Sequence, residues 1–511
     1  MKRLHTIVSL IVLSVSFISY VEAQMAATPG AWFTPQGREA VGSGLLPFAS
    51  QADALAGDIS KSPYIQPLGG AWKMKVVAGR DQVAAAIVSD AGWQDVQVPR
   101  AQAMDGKVAL LARSFKRPFV WDGREIFVRL QGVGAPYEVY VNGKFIGYNP
   151  SPAVGTDFDV TKATAEGNNA LVVVLYNDFP AAVALAAQTR MIVEGDAFAF
   201  SQPRARLRDV EARTGFSPEG NGLLDLGVIV KTHLLNVREI EVFYELHDAA
   251  GKTVASGRRT AEFRMKQEDT VRFFANIPAA KPWSAAHPDL YTLLLKTQYE
   301  GRFGEYVAVP VGFREVKFVN GKLLVNGAET PLTVAAMQPS RDLAAGEESL
   351  RELKKQGTNT IKLASPASPA FYSLCDRVGI YVCDQAQLTA QVAGADSPNN
   401  PPARSTSLPV PSNPATPFGS SGLLNTANDP ALWPLFADRI ATMYDASKGH
   451  PSVVAFSPAE GTANGFNLYR AYLTLRRAER TRPVSFAGAG NEWNSDTAPD
   501  GTHGRLIFKV Q

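Results

Sequence analysis

The chain is 511 residues long, with 45% apolar and 19% charged residues and a formal net charge of +3. That length exceeds one hydrophobic core and implies about three domains, at roughly 100–200 residues each. The near-neutral charge leaves no electrostatic footprint for nucleic acid or an anionic membrane surface, so neither is expected as a partner.

The N-terminus differs in kind from the rest. Lys2 and Arg3 precede an apolar run from Ile7 to Tyr20, and Val21-Glu22-Ala23 forms a small-x-small cleavage site before Gln24. This is the pattern of a secretory signal peptide over residues 1–23. The run falls short of the ~20 apolar residues that a spanning helix needs. No cysteine stands near the cut, so a lipid anchor is not expected, and no later segment reads as a membrane span. The mature protein is expected in the periplasm or outside the cell.

That compartment permits disulfides, yet the chain has only two cysteines, Cys375 and Cys383. They fall on a predicted helix and the strand after it, and read as two buried free thiols. With no histidine beside them a zinc site is not expected, and no cofactor is indicated.

From residue 24 to 209 the signal is alternation. "REIFVRLQGV", "YEVYVNGKFIGYNP" and "NALVVVLYN" read as strands, and Asn142-Gly143 between two apolar runs is a strong hairpin signal. The segment predicts a β-sandwich. Residues 210–316 repeat the grammar with "LDLGVIVKTHL", "REIEVFYELHDAAGKTVASG", "DTVRFFANI", "LYTLLLKTQYEG" and "EYVAVPVGF". A second, immunoglobulin-like sandwich fits that spacing. The hairpin "VKFVNGKLLVNG" leads out of it.

From 317 to 511 the period changes. Short apolar strands, "PLTVAAM", "TNTIKLA", "GIYVCD", "SVVAF" and "RPVSFAG", alternate with the helical segments "EESLRELKKQG", "PAFYSLCDRVG", "DPALWPLFADRIATMYDASKG" and "NLYRAYLTLRRAER". Strand and helix at this spacing predict parallel β/α units. "GRLIFKVQ" is a candidate sixth strand. Between the third strand and its helix, a proline-rich insertion over 394–422 predicts a mobile surface segment or a flap across the strand tips.

Two sandwiches followed by β/α units resemble glycoside hydrolase family 2, the β-galactosidase and β-glucuronidase family, from about Gly69 onward. "YVNGKFIGYNPSPAVGTDFDVT" is similar to its sugar-binding-domain hairpin. "KPWSAAHPDLYTLLL" with "VGFREVKFVNGKLLVNG" is similar to its entry into the barrel. "FYSLCDRVGIYVCDQAQ" and "KGHPSVVAFSPAEG" are similar to its second-helix and fourth-strand segments. The resemblance implies a jelly-roll-like sandwich, an immunoglobulin-like sandwich and a (β/α) TIM-type barrel that is incomplete here. It also implies a carbohydrate as partner.

The family's retaining chemistry uses two carboxylates about 5–5.5 Å apart, one protonating the leaving oxygen and one attacking the sugar carbon. The resemblance places the acid in a Trp-Ser-x-Gly-Asn-Glu stretch, which reads here Phe456-Ser457-Pro458-Ala459-Glu460-Gly461. Without a gap, Glu460 takes the asparagine position and Gly461 the acid position. The Asp-Glu-Ala-Asn after the third strand becomes Asp384-Gln385-Ala386-Gln387, and the Asn-Arg-His after the first strand aligns with Ala336-Met337-Gln338. No histidine occurs between His287 and His450, and the Asp-Met-Trp-Arg of the sugar-binding domain is not recognisable near "AAQTRMIVEG". The nucleophile should follow a seventh strand, and fewer residues follow the second sandwich than the roughly 200–250 of a closed barrel. Gly490-Asn491-Glu492 mimics the acid motif but follows the fifth strand; it, like Asp500 and His503, is expected in a solvated turn.

The sequence therefore predicts a β-galactosidase-like protein that has lost hydrolysis and keeps at most carbohydrate binding. Its candidate site residues are Glu460 as displaced acid and Gln338, Gln385 and Gln387 as sugar-facing amides. One alternative is an active exo-acting retaining β-glycosidase using Glu460 as acid/base. Another is a truncated reading of a full-length enzyme. An incomplete barrel leaves a bare sheet edge, so either an oligomer covering it or poor solubility is expected.

Overall fold

The computed structural model describes residues 31–497 apart from 101–103, 152–153, 178–190, 192, 194, 234–238, 264–266, 341, 389–425, 461–463 and 491. The signal sequence, the insertion at 394–422, Gly461, Asn491, Asp500, His503 and "GRLIFKVQ" lie outside the described residues.

The first sandwich packs a six-stranded antiparallel sheet against a four-stranded one. The larger sheet centres on Val108–Arg117, Gly167–Tyr176 and Tyr137–Val141; the smaller contains Glu125–Leu130 and Ala197–Gln202. Alternate residues of both, among them Leu111, Phe115, Val128, Val139, Phe158 and Val173, meet in a shared core. Asn142 and Gly143 both take positive φ, 50° and 75°, as a type I′ hairpin turn demands.

The second sandwich sets three strands (Ala205–Phe216, Gly222–Thr232, Glu268–Ile277) against four (Glu239–His247, Thr253–Glu262, Tyr291–Tyr299, Arg302–Val311). Its core includes Leu207, Leu226, Val228, Val242, Leu246, Leu293 and Val307. A segment that the sequence reading placed within the first sandwich also reaches the second, as a strap: Gln36 bridges to Tyr148, Arg38 to Phe158 and Phe48 to Tyr306.

The last region is a parallel sheet in the order Val334–Met337, Thr360–Leu363, Tyr381–Gln385, Val453–Ser457. Four helices follow these strands: Leu343–Lys355, Pro369–Val378, Trp433–Ser447 and Phe466–Ala478. The helix boundaries follow local chemistry. Asp342 caps the first by accepting from Ala344 N and Ala345 N, and Ser368 caps the second ahead of Pro369. Gly379, at φ 73°, closes the second helix in the left-handed conformation. Phe371, Leu374, Phe436, Ile440, Met443 and Leu468 from the helices bury Ile361, Leu363, Val382, Val453 and Phe456 of the sheet.

The expected fifth strand is reduced to one parallel bridge, Phe456 to Val484, before the chain turns into a short 3-10 segment at Ala487–Ala489. Pro483 offers only its carbonyl, which accepts from Phe456 N, so the ladder has no donor there. Among the described residues the sheet does not close into a barrel. Cys375 and Cys383 are both buried and free.

Candidate functional site

The C-terminal ends of the four parallel strands form one rim, the position from which barrel folds present functional groups. Register fixes which side chains share a layer: Ala336 pairs with Lys362, Lys362 with Cys383, and Cys383 with Ala455. Alternation then sends Cys383 to the inner wall with Val334 and Ala455, while Asp384 turns back toward the helices.

Lys362 is the charged member of that inner layer. Its side chain is only 11% exposed, and Nζ lies 2.5 Å from Oε1 of Glu460, whose side chain is 48% exposed. Glu460 reaches across because the chain turns sharply after the fourth strand, where Ser457 Oγ donates to Ala459 O at 2.9 Å. A nearly buried ammonium needs a counter-charge, and Glu460 supplies it. The sequence reading missed Lys362; the signal was one charge inside the otherwise apolar "TIKLA".

Asp384 is fully buried. Tyr372 Oη donates to its Oδ2 at 2.8 Å and Gln385 N to its Oδ1 at 2.9 Å. Burial pushes its carboxyl up to about 7 despite those donors, which favour the ionised form. Burial likewise lifts the Cys383 thiol to about 12, against the opposing pull of Lys362.

The three candidate amides occupy the rim differently. Gln338 is exposed just beyond the first strand. Gln385 is buried; its Nε2 makes a long 3.4 Å contact to Ala364 O, and its Oε1 has no hydrogen-bond partner among the described residues. Gln387 also has a buried Oε1 without a partner among the described residues. Its carbonyl accepts from Arg439 Nη1 at 2.7 Å, which pins the loop after the third strand. Two orphaned acceptors at one rim are notable, because buried polar atoms are nearly always paired.

The turn after the fifth strand departs from expectation. Glu492 is half-buried and bonded to Tyr469 Oη, not solvated. Asp496 accepts from Tyr472 Oη at 2.6 Å and from Val484 N at 2.8 Å. Thus Asp384, Glu460, Glu492 and Asp496 each hold a protein partner. No group of three or more metal ligands occurs among the described residues, and none of their helices is long and apolar enough to cross a membrane.

Comparison with known proteins adds an independent line. Three family profiles match in order: "Glycosyl hydrolases family 2, sugar binding domain" over 72–202, "Glycosyl hydrolases family 2" over 205–314, and "Glycosyl hydrolases family 2, TIM barrel domain" over 344–500. A β-galactosidase of Priestia megaterium is 23% identical over 495 residues, covering 87% of this chain and 46% of the relative. A β-galactosidase of Pectobacterium atrosepticum is 25% identical over 382 residues, covering 71% of this chain and 34% of the relative. The chain thus spans less than half the length of these curated relatives. Among solved structures, a Bacteroides uniformis β-glucuronidase superposes with a TM-score of 0.69 at 15% identity, covering 85% of this chain and 54% of that one.

Proposed function

Because the chain belongs to glycoside hydrolase family 2, we propose that it is a β-galactosidase-like protein that binds carbohydrate at the barrel rim without cleaving glycosidic bonds. The observation that carries this reading is the Lys362–Glu460 ion pair. A catalytic acid must come within about 3 Å of the leaving oxygen and hand over a proton. Oε1 of Glu460 is instead held by the Lys362 ammonium. The other carboxylates near the rim are turned to Tyr372, Tyr469 and Tyr472.

Binding is supported by the opposite feature, unused acceptors. Among the described residues Oε1 of Gln385 and of Gln387 are buried without partners, and sugar hydroxyls are donors of the required kind. Exposed Gln338 extends the same rim across the first strand. Calorimetric titration with methyl β-galactoside, β-glucuronide and β-mannoside tests this. One of them is expected to bind saturably, and Gln385→Leu is expected to weaken it about two- to tenfold, the worth of one hydrogen bond. Failure of all three to bind, or indifference to Gln385→Leu, contradicts the reading.

The same account extends to assembly. Where Val484 makes a single bridge, the sheet has an incompletely paired edge among the described residues, and such edges are blunted by cover. Copies of the chain are expected to associate over it. A soluble monomer at micromolar concentration in sedimentation velocity would count against that.

A further inference from the structure

At the opposite end of the fourth strand lies a cleft of about 210 Å³ that the rim does not use. Three bodies wall it: Leu46, Phe48 and Ile59 from the N-terminal strap, Val309 from the second sandwich, and Pro369 and Ala446 from two barrel helices. His450 stands in its lining, just before the strand Val453–Ser457. Its position is built rather than incidental. Nδ1 lies 2.6 Å from Oδ2 of the fully buried Asp376, whose Oδ1 accepts from Ser452 N at 2.9 Å. The ring rests on Tyr372 with centroids 5.2 Å apart.

A carboxylate oxygen accepts, so the hydrogen of the neutral imidazole sits on Nδ1 and Nε2 is left as an acceptor. Nε2 has no hydrogen-bond partner among the described residues. The volume limits what can fill the space. An apolar cavity of about 150 Å³ holds benzene, whereas drug-sized ligands need roughly 300–1,000 Å³. One ring with one or two small substituents fits, and mostly apolar walls that also carry Ser43, Ser373 and the His450 acceptor call for a ring with a donor.

We propose that this cleft binds a small monocyclic phenol, its ring against the apolar walls and its hydroxyl donating to Nε2 of His450. Because the cleft lies at the other end of the strand from Glu460, occupancy there is independent of carbohydrate at the rim.

The test compares p-cresol with toluene by ligand-observed NMR titration of the whole protein. The two differ by the hydroxyl, so p-cresol is expected to bind saturably and about two- to tenfold more tightly, the range of one net hydrogen bond. Ala308→Phe, which places a ring in the cleft from the sandwich side, is expected to abolish binding of both with an unchanged circular dichroism spectrum. Ala370→Trp does the same from the helix side should the first variant fold poorly. No saturable p-cresol binding up to about 10 mM, where even a millimolar Kd would show, overturns the proposal. So does binding that survives a folded filling variant. Equal affinities for p-cresol and toluene overturn the role of His450.

Discussion

Asp384 shows how one buried side chain sets a pH dependence. An unfolded aspartate titrates near 3.9, whereas burial raises the folded group to about 7. Between those values the folded state holds more protons than the unfolded state, so stability falls as pH rises. The contribution is fully present below about pH 4 and is lost through about pH 7. Asp384→Asn is expected to flatten that decline, which urea titrations between pH 4 and 8 would reveal as a pH-independent midpoint relative to wild type. A wild-type midpoint that climbs over the same interval would contradict it. Lys362 meets burial by pairing. Its ammonium stays inside the sheet because Glu460 lies 2.5 Å away, so the glutamate reads as a counter-ion before it reads as an acid.

At the scale of elements, the fourth strand is held at its start by arginines rather than by apolar packing alone. Arg314 Nη2 donates to His450 O at 3.1 Å and Val453 O at 2.9 Å, and burial pulls its pKa down to about 9. Arg482 reaches Lys448 O at 3.2 Å while pairing with Glu479 at 2.5 Å. Burial alone would raise the Glu479 carboxyl, but Arg482 and the donors of Thr481 outweigh it and hold it at about 2. The sign is opposite to that of Asp384. This stabilisation is present above about pH 4.5 and is lost as pH falls toward 2. Glu479→Gln leaves a buried guanidinium without its counter-charge and is expected to cost about 3–5 kcal/mol at pH 7, read as a lowered denaturation midpoint. A change below about 1 kcal/mol would contradict the role given to the pair.

Elements of this kind were legible in different degrees. Both Asn-Gly hairpins and all four barrel helices could be read directly, because turn chemistry and helical period are local properties of the chain. The strap from Gln36 to Phe48 could not, since its few bridges reach residues about 110 and 260 positions away and leave no local period. The fifth strand was over-read: "RPVSFAG" has strand composition, but Pro483 and the 3-10 turn at Ala487 end its pairing after one bridge. The rim position of Gln385 could be inferred from the resemblance, whereas the partnering of Glu460 by Lys362 spans 98 residues and emerges only in three dimensions.

At the scale of the whole molecule, charged contacts join the three bodies. Asp438 on the third barrel helix pairs with Arg38 of the strap and accepts from Ser151 Oγ of the first sandwich at 2.5 Å. Asp209 of the second sandwich accepts from Ser43 N at 2.8 Å and from Lys448 Nζ at 3.1 Å. These ties join the first sandwich, the second sandwich and the third barrel helix in one framework. Neutralising a single acid/base group lowers rate by about 10²–10⁴-fold. The most direct measurement is turnover of chromogenic β-galactosides, β-glucuronides and β-mannosides by purified wild-type protein and its Glu460→Gln variant. Release of chromophore at the uncatalysed rate by both proteins is the predicted result; turnover by wild type that Glu460→Gln abolishes would contradict the account.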